Sequence, residues 1–161
     1  MTWSRYKTNT IDEFTLSLET LALEIAKIAE QNSKKYMIGG GWALELTLGK
    51  ITRNHHDIDF FPLKDDVVWW RNWFESQGLK TKDEQTNEGL IIKVLGNKKE
   101  TLVDMVPSDL GNVMSVIYKG IKIFIDDPQK ILDEKLRNAK EGKPLRRQDL
   151  HDISIMGRKL K

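Results

Sequence analysis

The chain lacks cysteine, has only four prolines, and contains no apolar run near the ~18 residues that a membrane-spanning helix needs. Without cysteine there is no disulfide framework and no thiolate zinc site. Charge of one sign is also scarce. Lys and Arg number 26 against 24 Asp and Glu, so the net charge is only +2. That balance supplies no general pull toward nucleic acid and leaves RNA as a partner only through local basic patches. The opening Met1 to Lys7 has no apolar stretch of the signal-peptide kind, so a cytoplasmic location with no membrane partner is expected. What the 161 residues do contain, 39% hydrophobic and 31% charged, is the composition of a globular chain able to bury a sizeable core. No repeat, low-complexity tract or long linker interrupts it, and one domain over 1–161 is expected.

Hydrophobic spacing gives the elements. Thr10 followed by Glu13 has the pattern of a capping box. Ile11, Phe14, Leu18, Leu21, Ile25 and Ile28 then recur at helical intervals and predict a helix ending near Asn32. Tyr36 to Ile38 reads as a short buried strand, Gly39 to Gly41 as a turn, and Trp42 to Leu48 as a helix closed by Gly49. Asp57 to Phe61 is a second strand, and Asp65 to Gln77 a helix ending at Gly78. Leu90 to Leu95 with Thr101 to Val106, and Val113 to Tyr118 with Ile121 to Ile125, read as two hairpins. Asp127-Pro128 opens a helix, Gly142-Lys143-Pro144 breaks it, and Arg146 to Lys161 forms the last one. The order predicts an α+β fold with a mixed sheet backed by helices.

Three short segments carry chemistry. A glycine run between a strand and a helix lets the backbone come close to a phosphate, with the helix N-terminus aiming free N–H groups at it. Gly40 and Gly41 meet that description. In a strand, residues two apart share a face, so Asp57 and Asp59 project together while Ile58 points to the core. Adjacent carboxylates repel and are costly unless a cation lies between them, and oxygen ligands of this kind suit Mg²⁺. Asp104 stands in the apolar run Thr101 to Val106, where an isolated charge needs a reason. If the two strands are neighbours, three carboxylates converge beside the glycine turn. Each segment alone has a bland alternative: a solvated Asp-x-Asp face, a plain turn, or an aspartate paired with a lysine.

Taken in order, Gly40-Gly41-Trp42-Ala43-Leu44-Glu45, Thr52-Arg53-Asn54-His55 and Asp57-Ile58-Asp59 resemble the signature of the aminoglycoside and lincosamide nucleotidyltransferases. These belong to the polymerase-β-like nucleotidyltransferase superfamily. Leu102-Val103-Asp104 resembles the strand that holds the third carboxylate there. Toward the C-terminus, Ile131 to Arg137 and Gln148-Asp149-Leu150-His151-Asp152 resemble the closing motif of AbiEii-type nucleotidyltransferases, some of which are toxins, with Gln148 where a lysine is usual. The resemblance implies a nucleotidyltransferase that moves a nucleoside monophosphate from a nucleoside triphosphate to a small-molecule hydroxyl, plausibly on an antibiotic, and releases pyrophosphate. It implies two Mg²⁺ ions held by Asp57 and Asp59, with Asp104 as a third metal ligand or as general base. It further implies a nucleotide site formed by Gly40, Gly41, Trp42, Arg53 and Lys135. An RNA or protein acceptor, as in the toxin relatives, and a catalytically silent nucleotide-binding module are the alternatives.

Other residues carry weaker signals. Arg53 and Lys135 would otherwise be ordinary solvated cations, and His55 reads as a structural brace for its loop. A zinc site from His55, His56 and Asp57 is disfavoured, because adjacent residues of an extended segment point apart. Arg146 and Arg147 sit at the helix end that disfavours cations, which hints at an external anion, with a plain basic surface as the safer reading. Trp69, Trp70, Trp73 and Phe74 fall at helical spacing and read as core, with some aromatic area left for a contact. Little chain remains beyond a catalytic core for acceptor recognition, which points to a second subunit, as in a homodimer.

Overall fold

The computed structural model describes residues 10–159. Both the Met1 to Lys7 stretch and the last two positions of the expected terminal helix lie outside them. Seven strands form one sheet: β1 (Tyr36–Ile38), β2 (Ile58–Pro62), β3 (Lys80–Thr86), β4 (Gly89–Leu95), β5 (Thr101–Met105), β6 (Met114–Tyr118) and β7 (Ile121–Ile125). Their order across the sheet is β3-β4-β5-β2-β1-β7-β6. The pairs β2/β5 and β1/β7 are parallel and the other neighbours antiparallel, so the sheet is mixed, as the sequence predicts. Among the described residues five helices accompany it: α1 (Glu13–Gln31), α2 (Gly40–Leu48), α3 (Val67–Ser76), α4 (Pro128–Lys140) and α5 (Arg147–Lys159). No helix among the described residues is long and apolar enough to cross a membrane.

Period-two alternation sets one face of the central strands against the core. Ile58 and Phe60 of β2, Val103 and Met105 of β5, and Ile92 and Val94 of β4 are all fully buried. Helix α3 packs on Phe60 through Trp70, whose rings meet edge to face at 4.7 Å, and through Phe74 at 6.1 Å. Trp69 and Trp73 flank this contact, partly buried against the core. The tryptophan cluster is therefore mainly a packing face, as expected. Helix α1 turns Leu18, Ala22, Ile25, Ala26 and Ala29 inward, so its buried stripe is rotated from the larger apolar residues toward the alanines.

Several local expectations need correction. The cap of α1 is Asp12, whose carboxylate accepts from the Thr15 amide at 2.8 Å; the Thr10–Glu13 box does not form. Helix α2 begins at Gly40 rather than Trp42, with Gly39 at its N-cap. The segment expected as one helix from Asp65 splits into a 3-10 turn, Lys64–Asp66, and α3. Strand β3 has no counterpart in the hydrophobic pattern. Its sequence, Lys80 to Thr86, is polar on both faces because it is a sheet edge in solvent, and its pairing with β4 holds it. Both expected hairpins form, and the second turns through Lys119 and Gly120 with φ of 50° and 79°.

Candidate active site

The parallel register of β2 and β5 sets Asp59 directly opposite Asp104, and the antiparallel register of β5 and β4 sets Asp104 opposite Lys93. Because Ile58, Val103 and Ile92 take the core face, this row occupies the other face of the same three strands. Asp57, immediately before β2, joins it by the same alternation. Asp57, Asp59 and Asp104 each offer a carboxylate oxygen within 4.8 Å of the others. The convergence anticipated from the Asp-x-Asp spacing is therefore present.

Two glycines close the row from above. Gly40 has a φ of 57°, in the left-handed region, and a Cβ there would lie 2.3 Å from Asp59 Oδ2. At Gly41 a Cβ would lie 2.2 Å from an Arg53 guanidinium nitrogen and 3.0 Å from the His55 ring. The close approach that requires these glycines is thus to Asp59, Arg53 and His55. Hydrogen bonding between the Gly39 N–H and the Asp59 carbonyl, at 2.9 Å, fixes the turn to β2.

The loop between α2 and β2 is organised by Glu45, whose role the sequence pattern alone does not reveal. Its buried carboxylate accepts from the Thr52 N–H and hydroxyl, both at 2.9 Å, from the Arg53 N–H at 3.2 Å, and pairs with His55 Nε2 at 2.9 Å. His55 stacks on Trp42 with ring centroids 4.5 Å apart. It braces the loop, as expected. The Trp42 indole lies in the core, so what this residue offers beside the glycine turn is its backbone N–H, in the first turn of α2.

Arg53 and Lys135 are both engaged with carboxylates of α5. Arg53 makes a two-pronged pair with Asp152, at 2.9 and 3.0 Å. Lys135 Nζ bonds Asp149 and lies 3.7 Å from Asp152. Asp149 also accepts from the Arg146 backbone N–H at 3.1 Å, the helix-to-cap half of a capping box, and from the Arg146 guanidinium at 3.2 Å. Asp149 and Asp152 are both buried. Burial alone would raise the Asp149 carboxyl, but bonds from Arg146 and Lys135 outweigh it and hold it well below the usual carboxylate range. The pairing of Asp152 with Arg53, and Lys93, are the parts that sequence reasoning missed. Their signals were present: Asp152 sits one helical turn after Asp149, and Lys93 is the lone charge of an apolar strand.

Electrostatics set Asp57 and Asp59 apart from this neutralised network. Burial, then the charges of Asp57 and Asp104, push the Asp59 carboxyl up to about 6. Burial and the Asp104 charge raise Asp57 as well. Arg146 and Lys93 are near enough to oppose the rise at Asp59 but do not cancel it. Lys93 Nζ lies 2.8 Å from Asp104 Oδ1, yet off the direction of a proper hydrogen bond, so this buried oxygen has a counter-charge and no aligned donor. A cluster of hard oxygens, one of them lacking a donor and two held short of ready ionisation, fits a divalent cation.

The family model for aminoglycoside-2''-adenylyltransferases matches residues 21–110, more than half of the chain and the whole of this carboxylate row. The chain belongs to the aminoglycoside-2''-adenylyltransferase family. A 2''-aminoglycoside nucleotidyltransferase of Klebsiella pneumoniae is 46% identical over 44 residues, which are 27% of this chain and 25% of that protein. The match thus spans about a quarter of the length of that curated relative. Among solved structures, ANT(2'')-Ia in complex with adenylyl-2''-tobramycin superposes with a TM-score of 0.68 at 19% identity, covering 91% of each chain. Lincomycin-bound LnuA, a lincosamide antibiotic adenylyltransferase, gives 0.65 at 19% identity over 91% of this chain and 96% of its own. These likenesses show the nucleotidyltransferase fold.

Proposed function

We propose that the chain is a nucleotidyltransferase domain, spanning 1–161, that transfers a nucleoside monophosphate from a nucleoside triphosphate to a hydroxyl of an aminoglycoside or a related antibiotic. The observation that carries this reading is the convergence of Asp57, Asp59 and Asp104 oxygens beside the Gly40–Gly41 turn, in a chain of this family. Family membership favours the aminoglycoside over other acceptors.

In this reading Asp57 and Asp59, with Asp104 as a third donor, would hold Mg²⁺. When bound, the metal would supply Lewis-acid polarisation of the phosphate being transferred and neutralise the leaving pyrophosphate. The protein's own part begins with the glycine turn, where the free N–H groups at the start of α2 face an anion. As an alternative to ligating the metal, Asp104 is the group that would take the proton from the acceptor hydroxyl. The new bond joins the acceptor oxygen to the α-phosphorus, the bond from that phosphorus to the pyrophosphate oxygen breaks, and pyrophosphate departs with the negative charge. Lys93 offers Asp104 a counter-charge throughout. Acceptor recognition shared with a second copy of the chain is part of the proposal, and sizing in solution with and without acceptor tests it.

The experiment is a transfer assay with the four α-labelled nucleoside triphosphates, Mg²⁺, and separate aminoglycoside, lincosamide, tRNA and no-acceptor arms. Label on an aminoglycoside is the expected result. Label only on tRNA or on protein would replace the acceptor by that of the toxin-like alternative. No label in any arm, from protein shown to be folded, would leave a silent nucleotide-binding module.

A further inference from the structure

Three cations reach the α5 carboxylates, and they differ in what they have left to offer. Arg53 is 15% exposed with both prongs on Asp152, and Lys135 is 14% exposed and shared between Asp149 and Asp152. Arg53 cannot turn to a ligand without stripping Asp152 of its two-pronged partner, which is costly, and Lys135 is held nearly buried between the two carboxylates. Arg146 is 67% exposed. Among the described residues its carboxylate partner is Asp149, which keeps Lys135 when Arg146 leaves. Asp149 and Lys135 tie Arg146 to Asp152 and so to Arg53, whose guanidinium lies against Gly41 beside the carboxylate row. A cation at the start of a helix opposes the helix dipole, a placement that makes sense where an external anion is to be met.

We propose that Arg146 is the residue through which the C-terminal helices contact the polyphosphate of the nucleotide, swinging from Asp149 onto the β- or γ-phosphate beside the carboxylate row. This moves to Arg146 the phosphate-binding role that the sequence assigns to Arg53 and Lys135. Asp149 holds the fork oriented toward the site before the nucleotide arrives, and a guanidinium matches a phosphate edge with two parallel bonds. The proposal rests on the reading of the site as one for nucleotidyl transfer.

The test is calorimetric titration of the full chain with ATP, inorganic tripolyphosphate and AMP, each with Mg²⁺, in wild type, Arg146→Ala, Arg146→Lys and Arg146→Gln. Lys130→Ala, which removes an exposed lysine of α4, controls for loss of one charge. Arg146→Ala is expected to weaken ATP and tripolyphosphate binding by on the order of tenfold or more, the size of one charge-assisted bond, and to leave AMP unchanged. Arg146→Lys should recover part of the loss, and Lys130→Ala should bind as wild type. Arg146→Gln keeps a donor toward Asp149 without the charge, and carries the same test should the alanine variant fail to fold. Unchanged tripolyphosphate affinity in a folded Arg146 variant, or an equal loss for AMP, overturns the proposal while the nucleotide site stands. Failure of wild type to bind any triphosphate with Mg²⁺ overturns the transferase reading, and this proposal with it.

Discussion

Replacing Asp59 by asparagine should stabilise the metal-free protein while abolishing transfer. The expectation comes from the charge that the fold forces on a crowded, half-buried site. A carboxyl moved from its ordinary 3.8 to about 6 carries a charging penalty of about 3 kcal/mol, at roughly 1.4 kcal/mol per pH unit. The folded state holds its proton more tightly than the unfolded chain, so stability from this group falls as pH rises between 3.8 and about 6. The whole penalty is present at pH 7.5 and absent below pH 3.8. Asparagine has the same shape and no charge, so Asp59→Asn removes it. For a chain of this size that is a rise in Tm of roughly 6–12 °C as an upper bound, reduced by whatever the new amide leaves unpaired. Thermal unfolding of both proteins in chelator, from pH 4 to 8, tests this. The two curves should converge at the acid end and separate progressively toward pH 7.5. A variant less stable than wild type at pH 7.5, or a difference independent of pH, would refute the electrostatic account of the row.

Other perturbations read different parts of the site. Gly40→Ala places a Cβ 2.3 Å from Asp59 Oδ2 at a φ of 57°; it should cost about 1–2 kcal/mol in Tm measurements and remove transfer by displacing that carboxylate. Asp152→Asn breaks the two-pronged pair with Arg53 and should destabilise the fold by about 3 kcal/mol, read from urea unfolding. Lys93→Met removes a charge that holds Asp57 and Asp59 down. Both carboxyls should move further up, and the pH at which Mn²⁺ affinity reaches half its maximum should rise relative to wild type.

Much of the site was legible because it depends on local rules. Alternation alone sends Asp57 and Asp59 one way and Ile58 the other, and the apolar context of Asp104 marks it as an unusual charge. Neither rule supplies the strand order, and only the adjacency of β2 and β5 turns two observations into one cluster. The glycine pair was legible as a place of close approach, but that Asp59 and Arg53 are the side chains packed against it depends on the tertiary fold. Tertiary pairing explains what was not legible. Strand β3 has no hydrophobic face to reveal it and exists because β4 offers an edge. Asp12 displaced Thr10 as the cap because its own N–H is held by Asn54 Oδ1, a partner 42 residues away. The pairing of Arg53 with Asp152 likewise depends on a partner 99 residues along the chain.

The central claim is that the carboxylate row performs metal-dependent nucleotidyl transfer. Its most direct measurement is the mass of an aminoglycoside recovered after incubation with the protein, ATP and Mg²⁺, alongside the pyrophosphate released. The account predicts acceptor carrying one nucleoside monophosphate and pyrophosphate in equal amount, both lost in chelator and in Asp57→Asn. Modified acceptor formed at the wild-type rate by a folded Asp57→Asn, or in excess chelator, would contradict it.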